Sequence, residues 1–268
     1  MQPRKESGKF AFSPIAQTLT DFEVISIAPI VPIVEVIGPA AQGKSIPLLC
    51  GGADGHRYYV KGQQTNRASL WREWICGYLA EAMGLPLPPF AAVQLDPALV
   101  KELPKDQQAI GSLPAFGSRE QPHTTWLELG ISQRVPVALQ RDVLVFDWWV
   151  RNTDRLRGNT NLLWDAEHEG LVVIDHNLAL DNDFNAAEFQ DQHVFADQWA
   201  ALTQDLVLQA QYLQRLSQAL PAAHKALESA PEEWLWENSE FDIPARFDRA
   251  AALQVLERCA TPDFWRAV

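Results

Sequence analysis

The 268-residue sequence has few cysteines and no clustered cations. The three cysteines, Cys50, Cys76 and Cys259, lack the spacing of a metal site. The apolar surroundings of Cys50 and Cys76 predict buried thiols, and we expect a cytoplasmic protein. Lysine and arginine total 22 against 34 aspartates and glutamates, which gives a net charge of −12. An excess of negative charge disfavours binding to phosphate backbones or anionic lipids, so we expect neither nucleic acid nor membrane as a partner.

Long hydrophobic runs are also missing. No stretch approaches eighteen uncharged apolar residues, and no apolar segment of signal-peptide length follows the basic, polar residues 1–10. We therefore expect a soluble and unprocessed protein. Hydrophobic residues still make up 47% of the chain, which is enough for a sizeable core in one large domain or in a two-lobed one.

The first hundred residues predict a sheet with one helix. Residues 1–20 read as a loose tail. Two short strands, 48–50 and 56–61, flank a glycine-rich turn and predict a hairpin. Apolar residues at helical spacing predict a buried helix over 68–83, which a Gly and a Pro end. Residues 91–95 predict a further strand.

The rest of the chain is mainly helical in pattern. Residues 96–120 contain many turn formers and are interpreted as the connection between two lobes. A helical stripe covers 137–150, and two short strands, 161–164 and 171–174, flank a turn. From about residue 197 onward, the pattern is helical and divided by prolines.

The polar loop between the second helix and the second hairpin predicts a metal site. A hairpin centred on residues 167 and 168 places Asp175 opposite Thr160, so Asn159 and Asp175 should be neighbours. Asp154 stands at the other end of the same loop. Two carboxylates and an amide oxygen suit Mg²⁺, which prefers a few carboxylates together with substrate phosphates.

The spacing of these residues is the one that kinases use. An Asp-x-x-x-x-Asn sequence is followed after a hairpin by a strand-ending Asp. In kinases the first Asp, here Asp154, orients the substrate hydroxyl. Asn159 and Asp175 then occupy the positions of the two metal ligands. Ordinary turn chemistry is the alternative interpretation of the same polar residues.

A strand lysine and a helix glutamate extend the kinase pattern. Lys61 ends the predicted strand, and Glu73 shares a helical face with small residues such as Gly77. A face of small residues packs closely against a sheet, so a carboxylate on it is buried and needs a cation. Lys61 is the expected partner and the expected ligand of ATP phosphates. Glu81 is a rival on this helix, and a solvated lysine and glutamate are the alternative.

Residues 38–45, with the sequence GPAAQGKS, match the phosphate-binding loop of P-loop NTPases. That loop must open a helix, but Pro47 and the two glycines soon after it prevent one. We therefore expect a loop between two strands that folds over ATP phosphates. Gly43, Lys44 and Ser45 are its expected phosphate contacts.

Several segments together carry a resemblance to a known family. They are residues 43–45, 54–61, 71–74, 79–86, 146–155, 158–163, 174–176 and 231–235. In these segments the chain resembles the HipA-like kinases, over roughly residues 30–240. The block around Asp154 is the specific part, and the match in the first hundred residues is looser.

The resemblance implies an α+β, two-lobed, protein-kinase-like fold with a β-rich N-lobe and a mainly helical C-lobe. We assign residues 1–20 to a flexible tail, 21–100 to the N-lobe and 101–268 to the C-lobe. The resemblance also implies ATP and Mg²⁺ as cofactors, and transfer to a Ser, Thr or other hydroxyl of an unknown protein or small molecule.

By the same resemblance, Asp154 corresponds to the catalytic aspartate, Asn159 and Asp175 to the metal ligands, and Lys61 to the ATP lysine. Two departures from ordinary protein kinases stand out. Asn-Thr-Asp replaces His-Arg-Asp at residues 152–154, and Asp-His-Asn replaces Asp-Phe-Gly at residues 175–177. A nucleotide-binding pseudokinase and a small-molecule phosphotransferase remain as alternatives.

Overall fold

The structure is a computed structural model that describes residues 28–40 and 46–266. Its strands are β1 (Val31–Pro39), β2 (Leu48–Gly52), β3 (Arg57–Lys61), β4 (Phe90–Leu95), β5 (Ala115–Arg119), β6 (Thr124–Trp126), β7 (Leu162–Asp165) and β8 (Gly170–Val173). Its α-helices are α1 (Arg67–Ala82), α2 (Pro97–Glu102), α3 (Val137–Trp149), α4 (Ala186–Gln192), α5 (Trp199–Gln204), α6 (Leu206–Ala219), α7 (Pro221–Ser229) and α8 (Arg249–Glu257). The chain is therefore mixed α+β, with a sheet-rich N-terminal region and a helical C-terminal region.

The first five strands form a closed barrel in the order β1-β2-β3-β5-β4. Neighbouring strands are antiparallel, except that β1 closes the barrel against β4 in parallel over Val31, Pro32 and Ile33. The predicted hairpin is confirmed, because β2 and β3 pair from Leu48 and Val60 onward. Apolar side chains such as those of Ile33 and Val60 form a small core of their own.

The interpretation of residues 96–120 as a connection is wrong in one important respect. These residues contain α2 and the fifth barrel strand, β5, which lies between β3 and β4. The sequence did not predict this strand, because Pro114 and Gly117 are turn formers. Gly117 is required by packing: a Cβ there would lie 2.6 Å from a methyl carbon of Val93 on the neighbouring strand.

The predicted helix α1 is confirmed and is packed through tryptophans. Trp71 and Trp74 both pack edge-on against Trp234. Their indole N–H groups donate to the carbonyls of Trp234 and Ala226, at 2.9 Å and 3.0 Å. Trp234 in turn donates to the carbonyl of Pro114 at 2.7 Å. Buried indoles with satisfied N–H groups thus join α1 to the helical region and to the start of β5.

The second predicted hairpin forms in the expected register. β7 pairs with β8 from Leu162 and Val173 to Asp165 and Gly170, a register that continues to residues 160 and 175. β6 adds a third strand beside β7. The preceding helix α3 ends at Trp149, as the apolar stripe predicted. The polar loop of interest therefore lies between the buried α3 and this small sheet.

All three cysteines are free thiols in buried positions, as the sequence predicted for Cys50 and Cys76. Burial raises the pKa of the Cys50 thiol to about 12. Within residues 28–40 and 46–266, every helix is too short or too polar to cross a membrane.

Gly77 allows α1 to approach β4. A Cβ at Gly77 would lie 2.8 Å from ring carbons of Phe90, which itself packs against Trp74. We expect Gly77→Val to lower the free energy of unfolding by about 1–3 kcal/mol, because overpacking forces rings or backbone to shift. Urea unfolding measures the difference. Ala82→Val, at an exposed position of α1, is the control, and equal losses in the two variants would contradict the packing argument.

Candidate active site

A cleft of about 850 Å³ lies between the barrel and the β6–β8 sheet. Its barrel side is formed by apolar side chains that include Tyr59, Phe90 and Phe116. Leu163 and Val173 line it from the small sheet. The volume is within the usual range of ligand pockets, which are mostly apolar with a few placed polar groups.

The polar end of this cleft is formed by Lys61, Glu73 and Asp175. The ammonium of Lys61 lies 2.5 Å from Oε1 of Glu73 and 2.8 Å from Oδ1 of Asp175. Lys61 comes from β3, Glu73 from α1, and Asp175 lies two residues after the end of β8. The ion pair that the sequence predicted between Lys61 and Glu73 is therefore present. Glu81, the rival on α1, is exposed at the far end of the helix.

The three charges of this cluster shift one another's protonation. Burial alone disfavours the Lys61 ammonium, but the carboxylates of Glu73 and Asp175 outweigh it and raise its pKa. Burial raises the pKa of Glu73, with a further contribution from Asp175 that Lys61 opposes. Burial also opposes ionisation of Asp175, yet Lys61 holds the pKa of that carboxyl below its ordinary value. The ammonium is thus the group that keeps two buried carboxyls together.

Helix α1 also holds the backbone that follows Asp175. The second carboxylate oxygen of Glu73 accepts the His176 N–H at 3.0 Å, and Arg72 donates to the carbonyl of Asn177 at 3.3 Å. Asp175 itself has a φ of 61°, in the left-handed region that Asp tolerates better than most residues. This turn carries the chain away from β8 while its carboxylate stays beside Lys61.

His176 is a neutral imidazole packed beside the cluster. Burial, followed by the charge of Arg155, lowers its pKa to about 3. Its ring lies edge-on against Phe146 of α3, with 5.6 Å between ring centroids. Its Nε2 is buried without a hydrogen-bond partner among the described residues.

The Asp154 carboxylate is held by two amides of its own loop. Asn159 donates to Oδ1 at 3.1 Å, and Asn161 donates to Oδ2 at 2.9 Å. The sequence predicted Asn159 beside Asp175, but the side-chain hydrogen bonds of Asn159 go to Asp154. The site has two halves, the loop that carries Asp154 and Asn159 and the strand end that carries Asp175. A backbone hydrogen bond joins them, because the N–H of Ile174, the residue before Asp175, donates to the carbonyl of Asn161 at 3.3 Å.

The donor set fits a Mg²⁺ ion bound together with a nucleotide. No group of three His, Cys, Asp or Glu side chains suited to a metal occurs in residues 28–40 and 46–266. Mg²⁺ does not require one, since it takes one or two carboxylates and completes its shell with water and phosphate oxygens. The Asn159 amide nitrogen is committed to Asp154, while its amide oxygen accepts no hydrogen bond within the described residues. That oxygen and the Asp175 carboxylate are the groups at the site that could hold the ion.

Gly43, Lys44 and Ser45, the expected phosphate contacts, lie outside the described residues. On either side of them Pro39 of β1 pairs with Leu48 of β2. The segment therefore connects two antiparallel strands, and a strand follows where a P-loop NTPase needs a helix. The two strands expected on either side of the segment are confirmed.

Four residues that contribute to the site were not predicted from the sequence: Asp147, Arg155, Asn161 and His193. Asn161 fixes Asp154, and the other three form a buried network next to it. A signal for Asp147 was present, because a carboxylate in the apolar run that ends α3 needs a cationic or hydrogen-bonding partner. Its partners could not be found, since they lie on different segments.

A strand lysine paired with a helix glutamate, next to an Asp–Asn loop and a strand-ending Asp, is the side-chain set of kinase-type phosphotransferases. The model of the family described as HipA-like kinase matches residues 33–268, and the chain belongs to that family. Neither the search of curated proteins nor that of solved structures found a match.

Removal of the Lys61 ammonium should make stability depend on pH. In Lys61→Met, Glu73 and Asp175 face each other without a cation, so their folded-state pKa values rise above those of the unfolded chain. A raised carboxyl pKa contributes stability at low pH that is lost as pH rises. We expect a loss of about 3–5 kcal/mol at pH 8, as for other broken buried pairs, and a smaller loss at pH 5.

Urea unfolding at the two pH values measures this effect. Lys101→Met, which removes an exposed lysine, is the matched control and should show little loss at either pH. The double variant Lys61→Met with Glu73→Gln should recover part of the stability at pH 8. A loss that is the same at pH 5 and pH 8 would argue against two carboxyls held by one ammonium.

Proposed function

We propose that this protein is an ATP-dependent kinase that transfers the γ-phosphoryl group of Mg²⁺-ATP to a hydroxyl, most readily a Ser or Thr of a protein. The observation that carries the proposal is the cluster of Lys61, Glu73 and Asp175 at the end of an apolar cleft. Two carboxylates from different parts of the fold hold the ammonium in one position, so it is preorganised to bind phosphate oxygens. Family membership supports the same chemistry.

Each polar residue has a role in this proposal. Lys61 binds the α- and β-phosphates, and Glu73 holds the ammonium in place. Asn159 and Asp175 hold Mg²⁺, which supplies positive charge against the phosphate oxygens when bound. Asp154, fixed by Asn159 and Asn161, orients the acceptor hydroxyl and accepts its proton. Catalysis then rests on position and electrostatics.

We further propose that the two regions act as lobes with the nucleotide between them. The barrel would be the N-lobe, and the sequence placed its boundary near residue 100. Because β5 belongs to the barrel, the proposed boundary moves to the segment after Arg119. Gly43, Lys44 and Ser45 retain their proposed part in phosphate binding.

ATP should stabilise the protein in a Mg²⁺-dependent manner. A ligand that binds only the native state adds about 2.7 kcal/mol of stability at one hundred times its dissociation constant. We expect millimolar ATP with Mg²⁺ to raise the Tm of the wild type, and Asp175→Asn to lose the part of the shift that requires Mg²⁺. Differential scanning fluorimetry with and without EDTA measures both. Asp191→Asn, at an exposed position of α4, should behave as the wild type. No shift in the wild type would refute the proposal.

Asp154 distinguishes a kinase from a nucleotide-binding pseudokinase. We expect Asp154→Asn to lower phosphoryl transfer by roughly 10²–10⁴-fold, the usual contribution of a general base, and to leave the ATP-induced Tm shift unchanged. Transfer of ³²P from ATP to the protein itself, to a generic Ser/Thr protein substrate and to a panel of small-molecule alcohols supplies the measurement. If wild type and variant bind ATP equally and neither transfers phosphate, the pseudokinase alternative holds.

A further inference from the structure

Asp147 is a charged residue at the centre of the protein that has no part in the proposed chemistry. It lies on α3, is fully buried, and is surrounded by three polar partners. Its Oδ2 lies 2.6 Å from Nε of Arg155 and 2.9 Å from Nε2 of His193. Its Oδ1 accepts a hydrogen bond from the amide of Asn152 at 2.9 Å. A carboxylate with such a set of partners fixes the segments that supply them.

Arg155 connects this carboxylate to both halves of the site. It directly follows Asp154 in the chain, and its Nη1 donates to the carbonyl of Asn161 and, at 3.1 Å, to the carbonyl of Ile174. Ile174 directly precedes Asp175. One buried guanidinium therefore bridges the loop that carries the proposed base and the strand end that carries the proposed metal ligand.

His193 connects Asp147 to the end of the segment that follows Asp175. Its Nδ1 accepts the N–H of Phe195 at 3.1 Å, so its Nε2 carries the proton and donates to Asp147. The backbone reinforces this contact, because the Val194 N–H donates to the carbonyl of Arg155 at 3.1 Å. Both ends of the segment are thus attached to the same network.

The charges of this network are balanced. Burial opposes ionisation of Asp147, but Arg155 and then His193 outweigh it and hold the pKa of Asp147 below its ordinary value. Burial lowers the pKa of His193, so its imidazole is neutral. One anion and one cation remain, and each is buried. A buried pair of this kind is weak evidence for stability but constrains geometry strongly.

The sequence between Asp175 and His193 contains no Ser, Thr or Tyr. Many kinases order the equivalent segment by phosphorylating it, which creates new pairs with arginines. This chain has no hydroxyl there to phosphorylate. The order of the segment must therefore come from contacts such as those of Asp147.

We propose that Asp147 is the positioning residue of the active site. Through Arg155 it sets the placement of Asp154 relative to Asp175, and through His193 it holds the intervening segment in its ordered form without phosphorylation. The proposal rests on the proposed kinase function, because the groups that it positions are those of that function.

Arg155→Lys tests the bridge to the two halves of the site. A lysine keeps the positive charge beside Asp147 but cannot reach the carbonyls of Asn161 and Ile174 at the same time. The quantity to measure is the Mg²⁺ concentration that gives half of the maximal Tm shift at constant ATP. We expect it to rise roughly 10–100-fold, because removal of the outer-shell partners of metal ligands weakens metal affinity by that factor. The Tm shift produced by ATP in EDTA should stay unchanged, since it depends on Lys61 and the cleft.

Arg215→Lys is the matched control. Arg215 also pairs with an aspartate of α3, Asp142, at 2.6 Å and donates to a backbone carbonyl, that of Met83 at 3.2 Å. Its hydrogen bonds within the described residues go to Asp142 and Met83, and none goes to Lys61, Asp154 or Asp175. We expect this variant to lower the Tm without changing the Mg²⁺ requirement.

His193→Leu is the second variant and keeps the Asp147–Arg155 ion pair, so it serves even if Arg155→Lys does not fold. A raised Mg²⁺ requirement in either site variant, with the control unchanged, supports a positioning role. A lower Tm with an unchanged Mg²⁺ requirement in every variant that folds would mean that the network is only structural and would overturn the proposal. A wild type without any Mg²⁺-dependent shift is a separate result, which refutes the kinase function itself.

Discussion

The arrangement of the site depends on one buried ammonium. Lys61 is the point where the barrel, α1 and the end of β8 meet, because it contacts Glu73 and Asp175 together. Two carboxyl groups buried side by side cannot both stay ionised without a cation between them. The same ammonium therefore holds three parts of the fold in register and presents positive charge to the cleft. The ion pairs that give Lys61 its structural role also fix the ammonium for its proposed role in phosphate binding.

A second buried charge pair lies behind the first. Asp147 and Arg155 are both fully inaccessible to solvent, and they hold the two backbone segments that carry Asp154 and Asp175. Charged side chains are almost never fully buried unless they are paired, as these two are. The surrounding core is apolar and rich in tryptophan, so these few polar groups interact at low dielectric, where their geometry matters most.

Local pattern predicted most of the elements around the site. Helical spacing predicted α1 and α3, and the alternation around short turns predicted both hairpins with the correct register at β7 and β8. The strand β5 was missed, because its Gly and the preceding Pro are typical of loops. Gly117 is present for a tertiary reason, the close approach of Val93, and such a reason is not visible in a local window.

The sequence alone determined the residue types of the site, their order along the chain and the family, because spacing within a loop or a hairpin is a local property. It also determined that Glu73 needs a cation and that no hydroxyl lies between Asp175 and His193. Only the tertiary structure decided that Lys61 is shared with Asp175, that Asn159 contacts Asp154, and that Asp147 joins Arg155 to His193. Lys61 and Asp175 are far apart in sequence, as are Asp147 and His193, and their meeting depends on how barrel, helix and small sheet pack together.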